Sequence, residues 1–172
     1  MKKLFTTIIG SLFVSAILVS CGPTSGDAVK YNDALVDQQK KVLQKESALI
    51  ETISKNTPDK LESSYNDLLN QIKESTDVVQ KMESFDGKTD MKDAVLKVFE
   101  AYKDAAENDY KEMINLAKTP DALYTQETDN KVIDLSKKID DKLNKVVDAF
   151  IAKQKEFAEK YKFELTATDK EK

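Results

Sequence analysis

Apolar and polar positions along residues 27–162 follow the period of amphipathic helices, in four runs separated by three breaks. In the first run Ala28, Tyr31, Leu35, Val42, Leu49 and Ile53 recur at steps of three, four or seven, and Val36, Leu43 and Ile50 widen the stripe. This predicts a helix from Asp27, as its N-cap, to about Lys55. Asn56-Thr57-Pro58-Asp59 breaks the pattern and restarts it: Thr57 is suited to cap, Pro58 to the first helical position, and Asp59 to the positive end of the helix dipole. The second stripe is Leu61, Tyr65, Leu68, Ile72, Val79, Met82 and Phe85, and Asp86-Gly87 is expected to end it, with Gly87 left-handed. Thr89-Asp90 opens the third helix, whose stripe is Met91, Val95, Val98, Phe99, Tyr102, Ala105, Ala106, Met113, Leu116 and Ala117. Thr119-Pro120-Asp121 closes that run, and Leu123 and Tyr124 are expected to pack over the bundle end. The fourth helix starts between Thr125 and Asp129 and carries Val132, Leu135, Ile139, Leu143, Val146, Phe150, Phe157 and Tyr161 to about Lys162. Phe163 and Leu165 are expected to fold back, and Thr166 to Lys172 reads as a polar, flexible tail.

No segment alternates like a strand. Long helices with short connections predict an all-α fold, an antiparallel up-down-up-down four-helix bundle spanning residues 27–165. The alternative is a longer coiled coil that dimerises, but wide stripes and short loops favour the closed bundle. Tyr31-Asn32-Asp33 recurs as Tyr65-Asn66-Asp67, 34 residues on. That is the tetratricopeptide period, but the small-residue and proline pattern of such repeats is missing, and a repeat of that length would hold two shorter helices.

The residues ahead of the bundle have a different character. Lys2 and Lys3 precede an apolar run from Leu4 to Val19, with only Thr6, Thr7, Ser11 and Ser15 as mild polar interruptions. That is the layout of a secretory signal, shorter than the roughly 20 residues needed to span a bilayer. It ends in Leu18-Val19-Ser20-Cys21, and Cys21 is the only cysteine. This ending resembles the lipobox of bacterial lipoproteins cleaved by signal peptidase II. The resemblance implies that residues 1–20 are removed and that Cys21 carries a diacylglyceryl group on its sulfur and an acyl chain on its new amino group. Two or three acyl chains, at about 0.8 kcal/mol per buried methylene, would hold the protein to a membrane. It also implies that Gly22, standing where Asp favours inner-membrane retention, points to the outer membrane, with the leaflet left open. Residues 21–26 would then be the lipidated cysteine and a short tether.

Charge narrows the partners. Lys2 and Lys3 lie in the signal and no acidic residue does, so the remaining chain has 25 basic residues against 31 carboxylates, a net −6. Nucleic acid and anionic lipid surfaces call for a basic excess, which is absent. There is no Arg, His or Trp. The forked contacts that Arg makes with phosphate are therefore excluded, as are the commonest metal ligand and the commonest acid–base catalyst.

Three constellations are candidates for chemistry. In an antiparallel bundle Tyr31, Met82, Phe85, Met91, Val95, Phe99, Phe157 and Tyr161 share the end nearest the tether. Aromatic and Met side chains make adaptable apolar sites, so this end is a candidate pocket for a lipid or other small apolar ligand, weighed against ordinary core packing. Glu46 and Asp109 come to similar heights, where two buried carboxylates could hold a metal or share a proton. Ferritin-like di-iron bundles need His beside such carboxylates and this chain has none, so both are expected to tilt to solvent. Asn32, Gln38 or Gln39, and Thr76 are expected to form a buried polar contact that fixes register. The Lys137-Lys138-Ile139-Asp140-Asp141-Lys142 stretch reads as a solvated face.

The part after Cys21 is also similar in layout to small all-helical envelope lipoproteins, whose first helix opens with a segment like Tyr31-Asn32-Asp33-Ala34-Leu35-Val36-Asp37-Gln38-Gln39. That similarity brings no catalytic residues. The expected function is a non-enzymatic, lipid-anchored binding or scaffolding module in the cell envelope. It would have the membrane and an envelope or surface protein as partners, no nucleic acid, no metal, and no cofactor beyond the lipid on Cys21. The alternative is a carrier or sensor of a small apolar ligand at the aromatic end. Oligomeric state is left open.

Overall fold

The computed structural model describes residues 22–55 and 57–166. Cys21, the signal segment and residues 167–172 lie outside them. Among the described residues the fold is all-helical, a four-helix arrangement with no β-strand. The helices are α1 (Ser25–Ser54), α2 (Pro58–Lys81), α3 (Asp90–Asp104), α4 (Lys111–Ala117) and α5 (Gln126–Tyr161). A π-helical turn, Ala105–Tyr110, joins α3 to α4, so these three pieces form one rod where the periodicity predicts a single helix.

Helix boundaries follow local chemistry. Thr24, not Asp27, caps α1: its hydroxyl accepts from the Asp27 amide at 3.2 Å, and the Asp27 carboxylate accepts from the Thr24 amide at 3.0 Å. This reciprocal capping box uses Asp27 three residues inside the helix. Thr57 makes no side-chain cap on α2; its hydroxyl donates back to the Thr52 carbonyl at 3.1 Å, pinning the connection to the end of α1. Pro58 takes the first helical position, where its missing N–H costs nothing.

The second helix stops at Lys81, four residues short of Phe85. Met82 turns extended, and the Lys92 ammonium donates to the Gln80 and Met82 carbonyls, each at 2.8 Å. Phe85-Asp86-Gly87-Lys88 is a separate tight turn closed by the Lys88 amide on the Phe85 carbonyl at 2.9 Å. Asp86 and Gly87 both have positive φ, 53° and 67°. Two such residues are what a type I′ turn requires, and Asp-Gly is a preferred pair for it. Gly87 is thus left-handed as expected, but within a turn rather than at a helix end.

The core is a continuous set of stripe residues. Leu35, Val42 and Leu49 of α1, Leu61, Leu68 and Val79 of α2, Val95 and Val98 of α3, and Phe150 of α5 are fully buried. Burying one such side chain is worth roughly 1.5–3 kcal/mol. α1 packs most extensively on α2, and α3 on α5. The contacts Gln38–Ser75, Lys45–Asp67 and Thr52–Ser64 pair rising numbers in α1 with falling numbers in α2. Asn32 and Ser25 at the start of α1 meet Gln154 and Tyr161 at the end of α5. One expectation fails in part at the far end: Leu123 is 68% exposed, whereas Tyr124 lines a concavity there with Ile53, Met113 and Val132. Leu123 sits in a 3-10 turn, Asp121–Leu123, closed by its amide on the Pro120 carbonyl at 2.8 Å.

Candidate functional site

The start of α1, the 85–88 turn, the start of α3 and the end of α5 converge at one end of the bundle. Tyr31, Phe85, Phe157 and Tyr161 form a ring cluster there, with neighbouring centroids 4.7–6.0 Å apart. Phe163 joins it, 5.9 Å from Phe157, because Lys162 is left-handed (φ 57°) and sends the chain back over α5. The tilted and edge-on ring geometry is what aromatic quadrupoles favour. Met91, itself buried, completes the wall of a recess of about 170 Å³ that also touches Lys88, Asp90, Lys153, Glu156 and Lys160.

Of the residues expected at this end, the structure brings together Tyr31, Phe85, Met91, Phe157 and Tyr161. Met82 packs against the core at the end of α2, outside the recess wall. Phe99 is fully buried, but lies eight residues beyond Met91, roughly 12 Å along the helix. Tyr161 donates to Asp86 at 2.8 Å, and Lys160 reaches the same carboxylate at 3.1 Å. Both bonds hold that carboxyl below its ordinary range. Tyr31 differs: its hydroxyl is enclosed and has no hydrogen-bond partner among the described residues. Burial, with the Asp93 carboxylate as a lesser influence, pushes its phenol up.

A second concavity was not foreseen. Leu69, Ile72, Leu96 and Phe99 floor an open groove of about 880 Å³ between α2 and α3. Its rim carries both signs of charge, including Lys73, Asp77, Lys97 and Glu100. Leu69 and Leu96, apolar positions beside the main stripes, were the available signal.

Three of the interior polar contacts among the described residues involve side chains singled out by the sequence. Glu46 and Asp109 do not tilt to solvent: they are 7% and 1% exposed. Nor do they share a site. Glu46 accepts from the Tyr110 hydroxyl at 2.7 Å and from Tyr102 at 3.2 Å. Burial raises the Glu46 carboxyl above its usual range, and the two phenol bonds only partly offset that. Both phenols are pushed up by burial and by the adjacent carboxylate. Asp109 instead accepts from Lys138 and Lys142 of α5, each at 2.7 Å. Burial is the largest single influence on Asp109 and acts upward, but the two lysines together outweigh it and hold the carboxyl low.

The third contact pairs Asn32 with Gln154, whose amide donates at 2.9 Å, both residues buried. The expected contact of Asn32 with Gln38 or Gln39 and Thr76 is not the one formed. Thr76 bonds to the Ile72 carbonyl in its own helix, and the bond Gln38 makes is a backbone one, its main-chain carbonyl accepting from Ser75. No group of three or more acidic or Cys side chains is placed to hold a metal among the described residues.

Comparison of the chain with protein families, with characterised proteins and with solved structures finds no match.

Proposed function

We propose that this protein is a non-enzymatic helical binding module, held at the cell envelope by lipid on Cys21, that presents the α2–α3 groove to an amphipathic helix of another envelope protein. The groove carries the reading. It extends over Leu69–Gln80 and Asp93–Glu107, about three to four helical turns. An apolar floor with charged rims of both signs is the surface that an amphipathic helix fits, by seating its apolar stripe and pairing its flanks. The membrane link depends on the signal and lipobox; among the described residues no helix is long and apolar enough to cross a bilayer.

Photo-crosslinking in intact cells tests the groove. A crosslinker at Leu96 should capture one discrete partner, and the same group at Lys145, on α5 outside the groove, should not. Equal capture at both positions, or none at Leu96, sinks the reading. For the anchor, Cys21→Ser should release the protein from membranes; retention after that change removes the lipoprotein assignment.

A second reading, a small-ligand site at the aromatic end, is favoured by the recess that Tyr31, Phe85, Met91 and Phe157 line there.

A further inference from the structure

Exposed apolar side chains gather at the end of the bundle away from the tether. Five large ones stand in solvent among the described residues, and four of them, Ile50, Leu123, Tyr124 and Ile133, lie there; the fifth, Val78, stands apart on α2. Ile50 and Ile133, 45% and 50% exposed, border an open concavity of about 650 Å³ between α1 and α5, with buried Met113 of α4 beneath it. A small-molecule pocket holds its apolar groups inside a cleft. Apolar side chains standing proud beside a hole form a patch for another protein chain.

The patch carries no charge. None of the residues lining the concavity is acidic or basic, although 34% of the chain is charged. The aromatic recess and the α2–α3 groove both have charged rims. Charges flanking the patch are of both signs, and several are paired within the chain: Glu51 with Lys55, Lys118 with Glu62, and Lys131 with Glu127. Charge pattern does much to discriminate between unlike partners, and here there is none to read. A second copy matches by construction. Each copy brings both the projecting isoleucines and the hole, as an isologous two-fold interface requires. Two net-acidic chains repel over most of their surface, but at this patch neither brings a charge to bury.

We infer that the protein associates with a second copy of itself through this patch, Ile50 and Ile133 of each copy seating against the concavity of the other. The placement suits a membrane-held chain. α1 packs on α2, α2 on α3, α3 on α5 and α5 on α1, so the α1–α5 face lies opposite the α2–α3 groove. A two-fold axis along the bundle keeps both tethers on one side and turns both grooves outward. The inference does not rest on the groove being occupied; where it is, the dimer offers two linked sites.

Photo-crosslinking in intact cells that co-express two differently tagged copies of the full chain tests this. A crosslinker at Ser136, on the edge of the concavity, should join the two tags, and the same group at Glu74, exposed on α2, should not. Ile50→Lys with Ile133→Lys in every copy should cut the yield about tenfold or more, as should Ile50→Glu with Ile133→Glu, because like charges then meet across the axis. Co-expressing the lysine form with the glutamate form should restore it. Both positions are half-exposed, so each form should melt close to the parent, which separates lost association from lost fold. Capture of a different protein alone, no capture at Ser136, equal capture at Glu74, charged forms that crosslink like the parent, or no recovery in the mixed pair would each overturn the inference.

Discussion

The Asp109 clamp allows a prediction whose sign depends on pH. The Asp109 side chain is 2% exposed, whereas its partners Lys138 and Lys142 are 62% and 27% exposed. The lysines can return to water; the carboxylate cannot. Replacing both by Met leaves a buried charge without its counter-charges, a change that typically costs about 3–5 kcal/mol. The exposure of Lys138 weakens its share of the pairing through solvent screening, which favours the lower half of that range. At roughly 2–4 °C per kcal/mol for a chain of this size, melting should fall by about 6–16 °C.

In the parent protein the lysines hold Asp109 below its unfolded value. Its stabilisation is therefore complete above the unfolded pKa, about 3.9, and is lost as pH falls through the folded one. Without the lysines, burial is left to act alone and raises the folded pKa, so this site then gains stability as pH falls. The gap between Lys138→Met/Lys142→Met and the parent should thus be wide at pH 7 and narrow at pH 4. Urea unfolding followed by circular dichroism measures both values. Adding Asp109→Asn to the double variant should recover much of the loss at pH 7, because a neutral amide needs no counter-charge. A gap under about 1 kcal/mol, a gap independent of pH, or no recovery with Asn would refute the reasoning.

Three further outcomes follow from single contacts. Glu46 has a folded pKa above its unfolded one, so its contribution is present at low pH and lost as pH rises through the folded value; Glu46→Gln should gain on the parent between pH 4.5 and pH 8 in urea titrations, and a constant difference would count against it. Gln154→Leu strands the buried Asn32 amide and should cost about 1–3 kcal/mol in the same assay, whereas Asn32→Val combined with Gln154→Leu should be milder than Gln154→Leu alone. Gly87→Ala meets no atom within 4 Å but must hold φ 67°, so it should lose only about 1–2 kcal/mol by thermal melt; a much larger loss would mean that something other than backbone conformation is at stake.

The helices were legible because their evidence is local. Leu35, Val42 and Leu49 sit seven residues apart and all three are fully buried, as a stripe on one helix must be. The polar interior was not legible in the same way. Glu46 and Asp109 interrupt apolar stripes, and a carboxylate in such a place is normally turned outward. What keeps them in is supplied by other helices, Tyr102 and Tyr110 for one and Lys138 and Lys142 for the other. That Lys138 and Lys142 lie four apart on one face was visible, but not which acid they meet. Asn32 found Gln154, 122 residues away, rather than the nearer Gln38 or Gln39. At the aromatic end, five of the eight residues expected there do meet, and Met82, Val95 and Phe99 lie outside the recess wall. Phe99 misses it because spacing along one helix assigns a face and not a height against the other three.

The π-helical turn between α3 and α4 gives these interior contacts a shared dependence. An α-helix advances about 100° per residue, so one residue taken into a wider turn resets the phase of all that follows it. Asp109 and Tyr110 are adjacent in sequence and both buried, one bonded to α5 and the other to Glu46 of α1. Their aim is therefore set by a single backbone offset. Removing one residue from 105–108 would rotate Asp109, Tyr110 and α4 together and uncouple both contacts, whereas a substitution at Asp109 or Tyr110 reaches only one. In this rod chain length is itself a specificity element, and a deletion without change of composition would be read by two neighbouring helices at once.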